Sequence, residues 1–333
     1  MKAAFYERTG AAADVLQLGE LDDPTPAAGE VRVHLRWSGV NPSDVKSRAG
    51  LRSSVMPFAR VIPHSDGMGG IDAVGEGVNA HWMGERVWVW NGAWKRPNGT
   101  AATFIVVPQQ QAVRLPDGTP DEAGACLGIP ALTAMHGLLA AGGVGGKRVL
   151  VAGGAGAVGH YAVQFARLLG ATQVLGTVST EEKADIARAA GADVAIEYRR
   201  DDAAAQILQA TEGEGVDRII EVDIAANGVL DQTVLRDGGE AMVYGSGAAA
   251  FTMPFFPMIS KNIALHFYIV YNLDPAARAL AIRTLTGFLE RGVVQHQIAA
   301  RYPIESIVEA HQCVEQGQAV GNVVVEIDAA ARS

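Results

Sequence analysis

Apolar residues follow two different spacings along this chain. In the first third, Glu30-Val-Arg-Val-His-Leu-Arg-Trp37 alternates polar and apolar residues, which predicts a strand with one buried face. Residues 86–90 and 103–107 are further β-rich runs, and Asn-Gly and Pro-Asn-Gly turns separate them. Short strands at such regular intervals predict a β-barrel or a β-sandwich.

From about Asp121 the pattern changes to alternating helices and strands. A long apolar stretch at 122–141 predicts a helix that ends at Gly142-Gly143. Val149-Leu-Val-Ala152 is a short uninterrupted apolar run, typical of a strand that is buried on both faces. The alternation that follows is typical of a doubly wound parallel sheet in an α/β fold. Its predicted elements are helices at 157–169 and 180–190 and strands at 173–178, 193–196, 218–222 and 241–244. The tail, from about residue 267, adds a predicted helix at 275–291 and a last strand at 323–327.

Composition narrows the class of protein. The chain has 333 residues, which suggests about two domains, and 49% of them are hydrophobic, which excludes general disorder. Its formal net charge of −9 disfavours a nucleic-acid partner. The 2 cysteines are too few for a disulfide framework or a four-thiolate metal site. Neither an apolar leader core nor a membrane-spanning run is present in the sequence, so we expect a cytoplasmic enzyme without a membrane partner.

The strongest chemical signal is a glycine-rich turn between a buried strand and a helix. This context is what the dinucleotide-binding fingerprint G-x-G-x-x-G requires. The first glycine permits a tight turn, the second lets a pyrophosphate approach the backbone, and the third allows close packing of the helix on the strand. The N–H groups at the start of the helix then face the anion. The predicted pyrophosphate cradle consists of Gly154, Ala155, Gly156, Ala157, Val158 and Gly159.

The residues after the next strand indicate which dinucleotide binds. NAD-dependent enzymes usually carry an acidic residue there, about 20 residues beyond the turn, which binds the ribose 2′-hydroxyl. This strand ends without an acid, at Ser179, and Lys183 and Tyr198 follow. Hydroxyls and a cation suit a 2′-phosphate, so we predict NADPH as the cofactor, with these three residues at its phosphate. Glu182 is expected in a capping box with Ser179, and the alternative for Lys183 is a solvated helix cation.

Short motifs spread over nearly the whole chain form a further pattern. They lie at 38–44, 64–75, 84–87, 128–134, 154–159, 176–183, 302–304 and 310–311. Together they resemble the medium-chain dehydrogenase/reductase superfamily and, within it, the zinc-independent zeta-crystallin-like quinone oxidoreductases. The resemblance implies a GroES-like β-barrel catalytic domain of residues 1–122 and 267–333 and a Rossmann domain of residues 123–266. It also implies a homodimer or homotetramer, with a sixth Rossmann strand at 263–268 at or near the subunit contact.

The resemblance also implies a site without a metal ion. Zinc-dependent relatives carry a cysteine where Asn41 stands and a histidine where Ser65 stands. An amide and a hydroxyl are poor substitutes for thiolate and imidazole. In the family, the residue matching Asn41 lies beside the nicotinamide and the residue matching Thr133 contacts the cofactor, so we assign both roles here. The alternative is that Asn41-Pro42 forms an ordinary turn and has no role at the cofactor.

A quinone needs little polarisation to accept a hydride, so a flat acceptor could be reduced mainly through positioning against the nicotinamide, between the two domains. We therefore predict an NADPH-dependent quinone oxidoreductase with Asn41 beside the reacting ring. Many relatives have a tyrosine just after the position of Gly50, whereas Leu51-Arg52 follow here. If Arg52 binds a carbonyl or carboxylate, it favours the alternative of an alkenal or enone double-bond reductase.

A third candidate function is a nucleotide-binding structural or RNA-binding protein, which the intact glycine turn and the net charge disfavour. Aromatic residues that could line the site are Trp94, Tyr268 and Tyr271. Further cofactor contacts are expected at Pro130, Gly245, Ser246 and Asn322, the last of which replaces a more usual lysine.

Overall fold

A computed structural model describes residues 1–51, 53–199 and 202–331. Its strands, in chain order, are β1 (Lys2–Phe5), β2 (Gln17–Glu20), β3 (Glu30–Val40), β4 (Asp66–Val74), β5 (Arg86–Val89), β6 (Phe104–Pro108), β7 (Ala112–Arg114), β8 (Arg148–Val151), β9 (Gln173–Val178), β10 (Val194–Glu197), β11 (Val216–Glu221), β12 (Leu235–Val243), β13 (Ala264–Phe267), β14 (Ile298–Pro303) and β15 (Asn322–Glu326).

The α-helices complete the order of elements along the chain. They are α1 (Ala12–Val15), α2 (Pro42–Arg48), α3 (Asp121–Gly124), α4 (Leu132–Leu139), α5 (Ala157–Leu168), α6 (Glu181–Ala189), α7 (Ala203–Ala210), α8 (Ile224–Val234), α9 (Phe255–Ser260), α10 (Pro275–Glu290) and α11 (Ile307–Glu315). Within the described chain, no helix is long and apolar enough to cross a membrane.

The chain divides into two compact units. Unit 1 is Met1–Ile129 with Thr286–Ser333, and unit 2 is Pro130–Leu285. The second boundary falls inside α10, later than the predicted one at residue 266, because the segment after β13 is bonded to unit 2. Tyr268 Oη donates a hydrogen bond of 2.8 Å to the Thr133 carbonyl oxygen, and Arg278 Nη2 donates one of 2.7 Å to the Val270 carbonyl oxygen.

Unit 1 is built on a mainly antiparallel sheet. In the described chain it has seven strands, with the path β14-β15-β3-β4-β5-β7 and β6 paired to β3. The predicted alternation is confirmed in β3, where Val31, Val33 and Leu35 are buried and Arg32 and His34 are partly exposed. The buried side chains of this face belong to the core of unit 1. The strand extends past its predicted end into the segment that leads to Asn41.

Unit 2 contains a parallel sheet of six described strands, in the order β10-β9-β8-β11-β12-β13. The predicted strands of this unit are confirmed, and β9 has the bounds that the sequence predicts. The chain begins the sheet at β8 and adds strands first on one side and then on the other. In sheets of this kind, ligands bind beyond the carboxyl ends of the strands at the point where the order reverses. The glycine turn follows β8 at that edge.

One predicted helix is interrupted. The apolar stretch at 122–141 forms α3, then a wide π-type turn at Leu127–Ala131, and then α4. Pro130 lies inside this turn, and proline has no backbone N–H to donate to the preceding turn of a continuous helix. The helix also ends before Gly142 and Gly143, whose φ angles of 81° and 74° belong to the left-handed region.

Candidate functional site

The glycine turn is packed most closely at Gly159, where a side chain would not fit. A Cβ on Gly159 would lie 2.1 Å from the Gly153 carbonyl oxygen, and Gly153 itself has a φ of 69°. Thr177 supports the turn from β9, because its Oγ1 accepts a hydrogen bond of 3.2 Å from the Gly153 N–H and its carbonyl oxygen one of 3.0 Å from Gly154. The sequence pattern does not mark Thr177, which lies inside a buried strand.

The start of α5 offers unpaired backbone donors. Gly156 precedes the helix and contributes no capping side chain. The first N–H groups of an α-helix have no partners within it, and together with the helix dipole they attract an anion. Ala155 lies in the turn, and Ala157 and Val158 begin the helix. These residues therefore fit the pyrophosphate of a dinucleotide.

Two residues predicted at the 2′-phosphate are in contact. Lys183 Nζ donates a hydrogen bond of 3.0 Å to Ser179 Oγ, just beyond the carboxyl end of β9. Tyr198 follows the neighbouring strand, β10, and is 47% exposed. Its backbone N–H donates a hydrogen bond of 3.1 Å to the Val178 carbonyl oxygen. A hydroxyl, a cation and a phenol thus lie at adjacent strand ends.

The predicted capping box of Ser179 and Glu182 is wrong. Thr180 caps α6 instead, and its Oγ1 accepts a hydrogen bond of 3.4 Å from the Lys183 backbone N–H. The helix starts one residue later than the prediction assumes, so the cap and its partner both move by one position. Glu182 is exposed.

An open pocket of about 720 Å³ lies beyond the carboxyl ends of β12 and β13. Gly245 and Ser246, predicted near the nicotinamide ribose, line it, and so does Tyr268. The hydroxyl of Tyr268 is held by the Thr133 carbonyl oxygen, so the ring has a fixed position. Tyr271, the other tyrosine of this segment, is buried.

The pocket is lined mainly by apolar and aromatic side chains, with a few polar groups among them. One of these is His136, whose ring centroid lies 4.8 Å from that of Tyr268. Burial, and the charge of Arg278, lower the pKa of His136, which favours its neutral form. The sequence pattern does not single out His136, although it stands one helical turn after Thr133 on α4. Apolar walls with few polar groups are typical of pockets for small organic ligands.

Hydrogen bonds fix both the backbone and the side chain of Asn41. It is buried and directly precedes α2. Its backbone N–H donates a hydrogen bond of 2.8 Å to Asp44 Oδ2, and its side-chain Nδ2 donates one of 2.9 Å to Asp66 Oδ2. Asp66, which the sequence pattern also leaves unmarked, is fully buried. The carboxamide of Asn41 therefore has a defined orientation.

The residues at the zinc-ligand positions do not fit a zinc ion. The amide nitrogen of Asn41 faces a carboxyl group, and Ser65 Oγ accepts a hydrogen bond of 3.3 Å from the Ala93 N–H. Neither side chain can supply the thiolate or imidazole that zinc prefers. Among residues 1–51, 53–199 and 202–331, no group of three or more His, Cys, Asp or Glu side chains is arranged to hold a metal ion.

The remaining predicted positions are dispersed. Pro130 lies in the π-type turn before α4. Asn322 is buried at the start of β15, where its Nδ2 donates a hydrogen bond of 3.1 Å to the Gln297 carbonyl oxygen. Arg52, predicted as a substrate-binding cation, lies outside the described residues.

Comparison with known proteins agrees with this architecture. The family described as "Alcohol dehydrogenase GroES-like domain" matches residues 27–117, and the family described as "Zinc-binding dehydrogenase" matches residues 157–286. The quinone oxidoreductase of Lama guanicoe is 30% identical over 315 residues, which cover 94% of this chain and 93% of the relative. The chain belongs to the medium-chain dehydrogenase/reductase superfamily. Within it, the chain is of the quinone oxidoreductase type.

A second relative of this superfamily, the human quinone oxidoreductase, is 29% identical over 317 residues, which cover 94% of both chains. A solved NAD-dependent alcohol dehydrogenase is 25% identical, with a TM-score of 0.91 over 98% of this chain and 100% of that one. A mycobacterial protein solved in complex with NADPH is 27% identical, with a TM-score of 0.85 over 98% and 100%. The predicted fold class, a GroES-like domain with a dinucleotide-binding domain, is confirmed, and the protein is an oxidoreductase by family.

Membership in this superfamily does not conflict with the poor fit for zinc. The match to the "Zinc-binding dehydrogenase" family covers residues 157–286, and neither Asn41 nor Ser65 falls within it. A solved 2-haloacrylate reductase is 26% identical to this chain, with a TM-score of 0.82 over 99% of this chain and 100% of that one. Proteins with a similar overall structure thus carry out different reactions. Overall similarity therefore does not identify the substrate, and the residues of the site have to be considered.

Proposed function

We propose that the protein is an NADPH-dependent quinone oxidoreductase that acts without a metal ion. The observation that supports it most directly is the 3.0 Å contact between Lys183 Nζ and Ser179 Oγ, at a strand end that carries no acidic residue. NAD-dependent members of such folds place an acid there to bind the ribose 2′-hydroxyl, whereas a cation and a hydroxyl suit a phosphate. The likeness to an NADPH complex supports the same choice.

The chain would bind the cofactor at three places in unit 2. The turn from Gly154 to Gly159 would hold the pyrophosphate with backbone N–H groups, as in other dinucleotide-binding folds. Ser179, Lys183 and Tyr198 would bind the 2′-phosphate. Gly245 and Ser246 would approach the nicotinamide ribose at the edge of the 720 Å³ pocket. Bound NADPH supplies the hydride for the reduction.

The reduction of a quinone by a hydride needs little catalytic assistance from the protein. A quinone is already electrophilic, and the reduced oxyanion is stabilised by its aromatic ring before it takes a proton from solvent. The residues of the site therefore contribute mainly by positioning the acceptor against the nicotinamide, through stacking. We assign Asn41 a place beside the nicotinamide and Thr133 a contact with the cofactor, both from the family resemblance. Pro130 and Asn322 are proposed as further cofactor contacts on the same basis.

A second candidate is the reduction of an activated carbon–carbon double bond. It uses the same fold and cofactor, and the similarity to a 2-haloacrylate reductase supports it. His136 is consistent with this alternative, because a neutral imidazole N–H could donate a hydrogen bond to the carbonyl oxygen of an enone.

Initial rates with NADPH would separate the two candidates. The purified protein is mixed with NADPH and either 1,4-benzoquinone, 9,10-phenanthrenequinone or trans-2-hexenal, and the loss of NADPH absorbance is followed. We expect kcat/KM to be highest for a quinone. Faster turnover of the alkenal would favour the double-bond reductase. Inactivity with every acceptor, while NADPH still binds, would contradict both and favour the nucleotide-binding structural role.

A further inference from the structure

We infer that Asp66 is a positioning residue for the reaction. It orients the Asn41 carboxamide so that its oxygen, Oδ1, is the atom presented to the cofactor. This inference rests on the proposed function, because the role of Asn41 beside the nicotinamide comes from there.

Two neighbouring glycines leave room for the side chain of Asp66. It is the first residue of β4 and pairs with Gly39 of β3, two residues before Asn41. A Cβ on Gly39 would come within 3.1 Å of the Asp66 Cβ, and a Cβ on Gly128 would come within 2.4 Å of Asp66 Oδ1. Side chains at either glycine would therefore push the carboxyl group out of place.

The hydrogen bond sets the orientation of the amide. The Asn41 carboxamide has one donor end and one acceptor end, and Nδ2 donates to Asp66 Oδ2 at 2.9 Å. Because the donor end is engaged with Asp66, the acceptor Oδ1 lies at the other end of the amide, at the start of α2. There it forms a capping box with the backbone N–H of Asp44, and its second lone pair is left for the cofactor. The carboxamide group of a nicotinamide carries an NH2, which an oxygen can accept and which a second NH2 cannot. Reversal of the Asn41 amide would thus replace an acceptor by a donor.

The environment of Asp66 favours a neutral carboxyl group in this role. The residue is fully buried. Burial raises the pKa of Asp66 well above its ordinary value, and the hydrogen bond from Asn41 offsets this only in part. A neutral amide at the same position should therefore replace the carboxyl group, since its carbonyl oxygen can accept the same hydrogen bond.

Cofactor affinities test the inference without any turnover. Calorimetric titration measures Kd for NADPH and for its reduced 3-acetylpyridine analogue, in which an acetyl group replaces the carboxamide and offers no NH2. In Asp66→Leu, which has the shape of aspartate without its acceptor, we expect NADPH to bind about 3- to 10-fold more weakly, the value of one hydrogen bond. Binding of the analogue should not change. Asp66→Asn should bind both cofactors as the wild type does.

Two further variants show whether Asp66 acts through Asn41. Asn41→Ala should weaken NADPH binding to the same extent, and adding Asp66→Leu to it should have no further effect, as expected for coupled residues. Thr119→Ala, at a buried polar position of unit 1 with no role in the proposed site, is the matched control and should bind both cofactors normally. Equal losses in Asp66→Leu and Asp66→Asn, equal losses for both cofactors, or additivity with Asn41→Ala would each overturn the inference.

A measurement on the wild type tests the inference even if Asp66→Leu does not fold. In the wild type, the side-chain NH2 protons of Asn41 should exchange slowly with solvent, as hydrogen-bonded and buried protons do, and rapid exchange would overturn the inference. Absence of quinone and enone turnover would count against the proposed function alone, because none of these affinities depends on it. If the wild type does not bind NADPH at all, the inference falls together with the cofactor assignment.

Discussion

At the scale of single residues, we propose that a few side chains select the cofactor. The Lys183 side chain is hydrogen-bonded to Ser179, and one of the nearby acids, Glu181, is paired with Arg188 at 2.8 Å. A phosphate entering here would meet a cation and a hydroxyl rather than a carboxylate. Charge-assisted hydrogen bonds of this kind contribute about 1.5–3 kcal/mol each.

Lys183→Glu should therefore raise the KM for NADPH by about 10- to 100-fold and change the KM for NADH much less, because only NADPH carries the phosphate. Steady-state kinetics with both cofactors measure the two values. Lys183→Arg keeps the charge and serves as the control. Equal effects on both cofactors would remove Lys183 from the 2′-phosphate site.

The buried carboxyl group of Asp231 should make the stability of the protein depend on pH. Burial raises the pKa of Asp231 to about 9, helped by Glu221, whose own pKa is also raised by burial. In the unfolded chain an aspartate titrates near 4, so between about pH 4 and pH 9 the folded protein binds more protons. The free energy of unfolding should therefore fall as pH rises through this window.

In Asp231→Asn this group can no longer titrate, so the fall in Tm between pH 5 and pH 9 should be shallower than in the wild type. Thermal melts across the range measure the slope. Asp237→Asn, at an exposed position of the same unit, is the control and should keep the wild-type slope. A slope unchanged in both variants would show that Asp231 is already ionised in the folded protein.

At the scale of elements, the junction of β8 and α5 is the most demanding part of the fold. The helix approaches the strand so closely that only glycine is tolerated at its third residue. The first N–H groups of α5, which have no partners within the helix, lie at this same junction and are available to an anion. Packing and binding thus depend on the same backbone geometry.

Gly159→Ala should lower both Tm and NADPH affinity, because its Cβ would lie 2.1 Å from the Gly153 carbonyl oxygen. Gly156→Ala, with a nearest approach of 3.3 Å, should have a smaller effect. Gly287→Ala in α10 meets nothing within 4 Å and should stabilise the protein by about 0.5–1 kcal/mol. Thermal unfolding and calorimetric titration give both quantities; a neutral Gly159→Ala would contradict the close packing.

At the scale of the whole molecule, unit 2 has an uncovered edge beside exposed aromatic residues. β13 is the last strand of the sheet, paired only with β12 in the described chain. Large apolar side chains are exposed in and around it: Phe251, Phe255, Phe256, Ile259 and Phe267. An open strand edge with an apolar surface is typical of a subunit contact. The predicted homodimer or homotetramer, which stays a prediction, would bury this surface.

Phe256→Asp should therefore shift the protein to a smaller species in light scattering after size-exclusion chromatography, since it places a charge at a residue that is 76% exposed. Val55→Asp is the matched control, at a position of unit 1 that is 74% exposed, and should leave the mass unchanged. A wild-type protein that is monomeric at all concentrations would contradict the prediction.

The sequence by itself determined the strands of the parallel sheet, the glycine turn and the superfamily. These are recorded locally, because hydrophobic periodicity follows the secondary structure and a fingerprint lies on consecutive residues. The sequence patterns failed at the boundaries of helices. Pro130 interrupts a helix that periodicity alone predicts, and a one-residue shift at Thr180 moves a cap.

Only the tertiary structure brought Asp66 to Asn41 and His136 to Tyr268. Twenty-five residues separate the first pair in the chain, and a strand pairing joins them. No local pattern marks a buried carboxyl group as the partner of a particular amide, because its role depends on burial and distance. The cofactor site could thus be predicted from consecutive residues, whereas the orientation of the side chains around it required the fold.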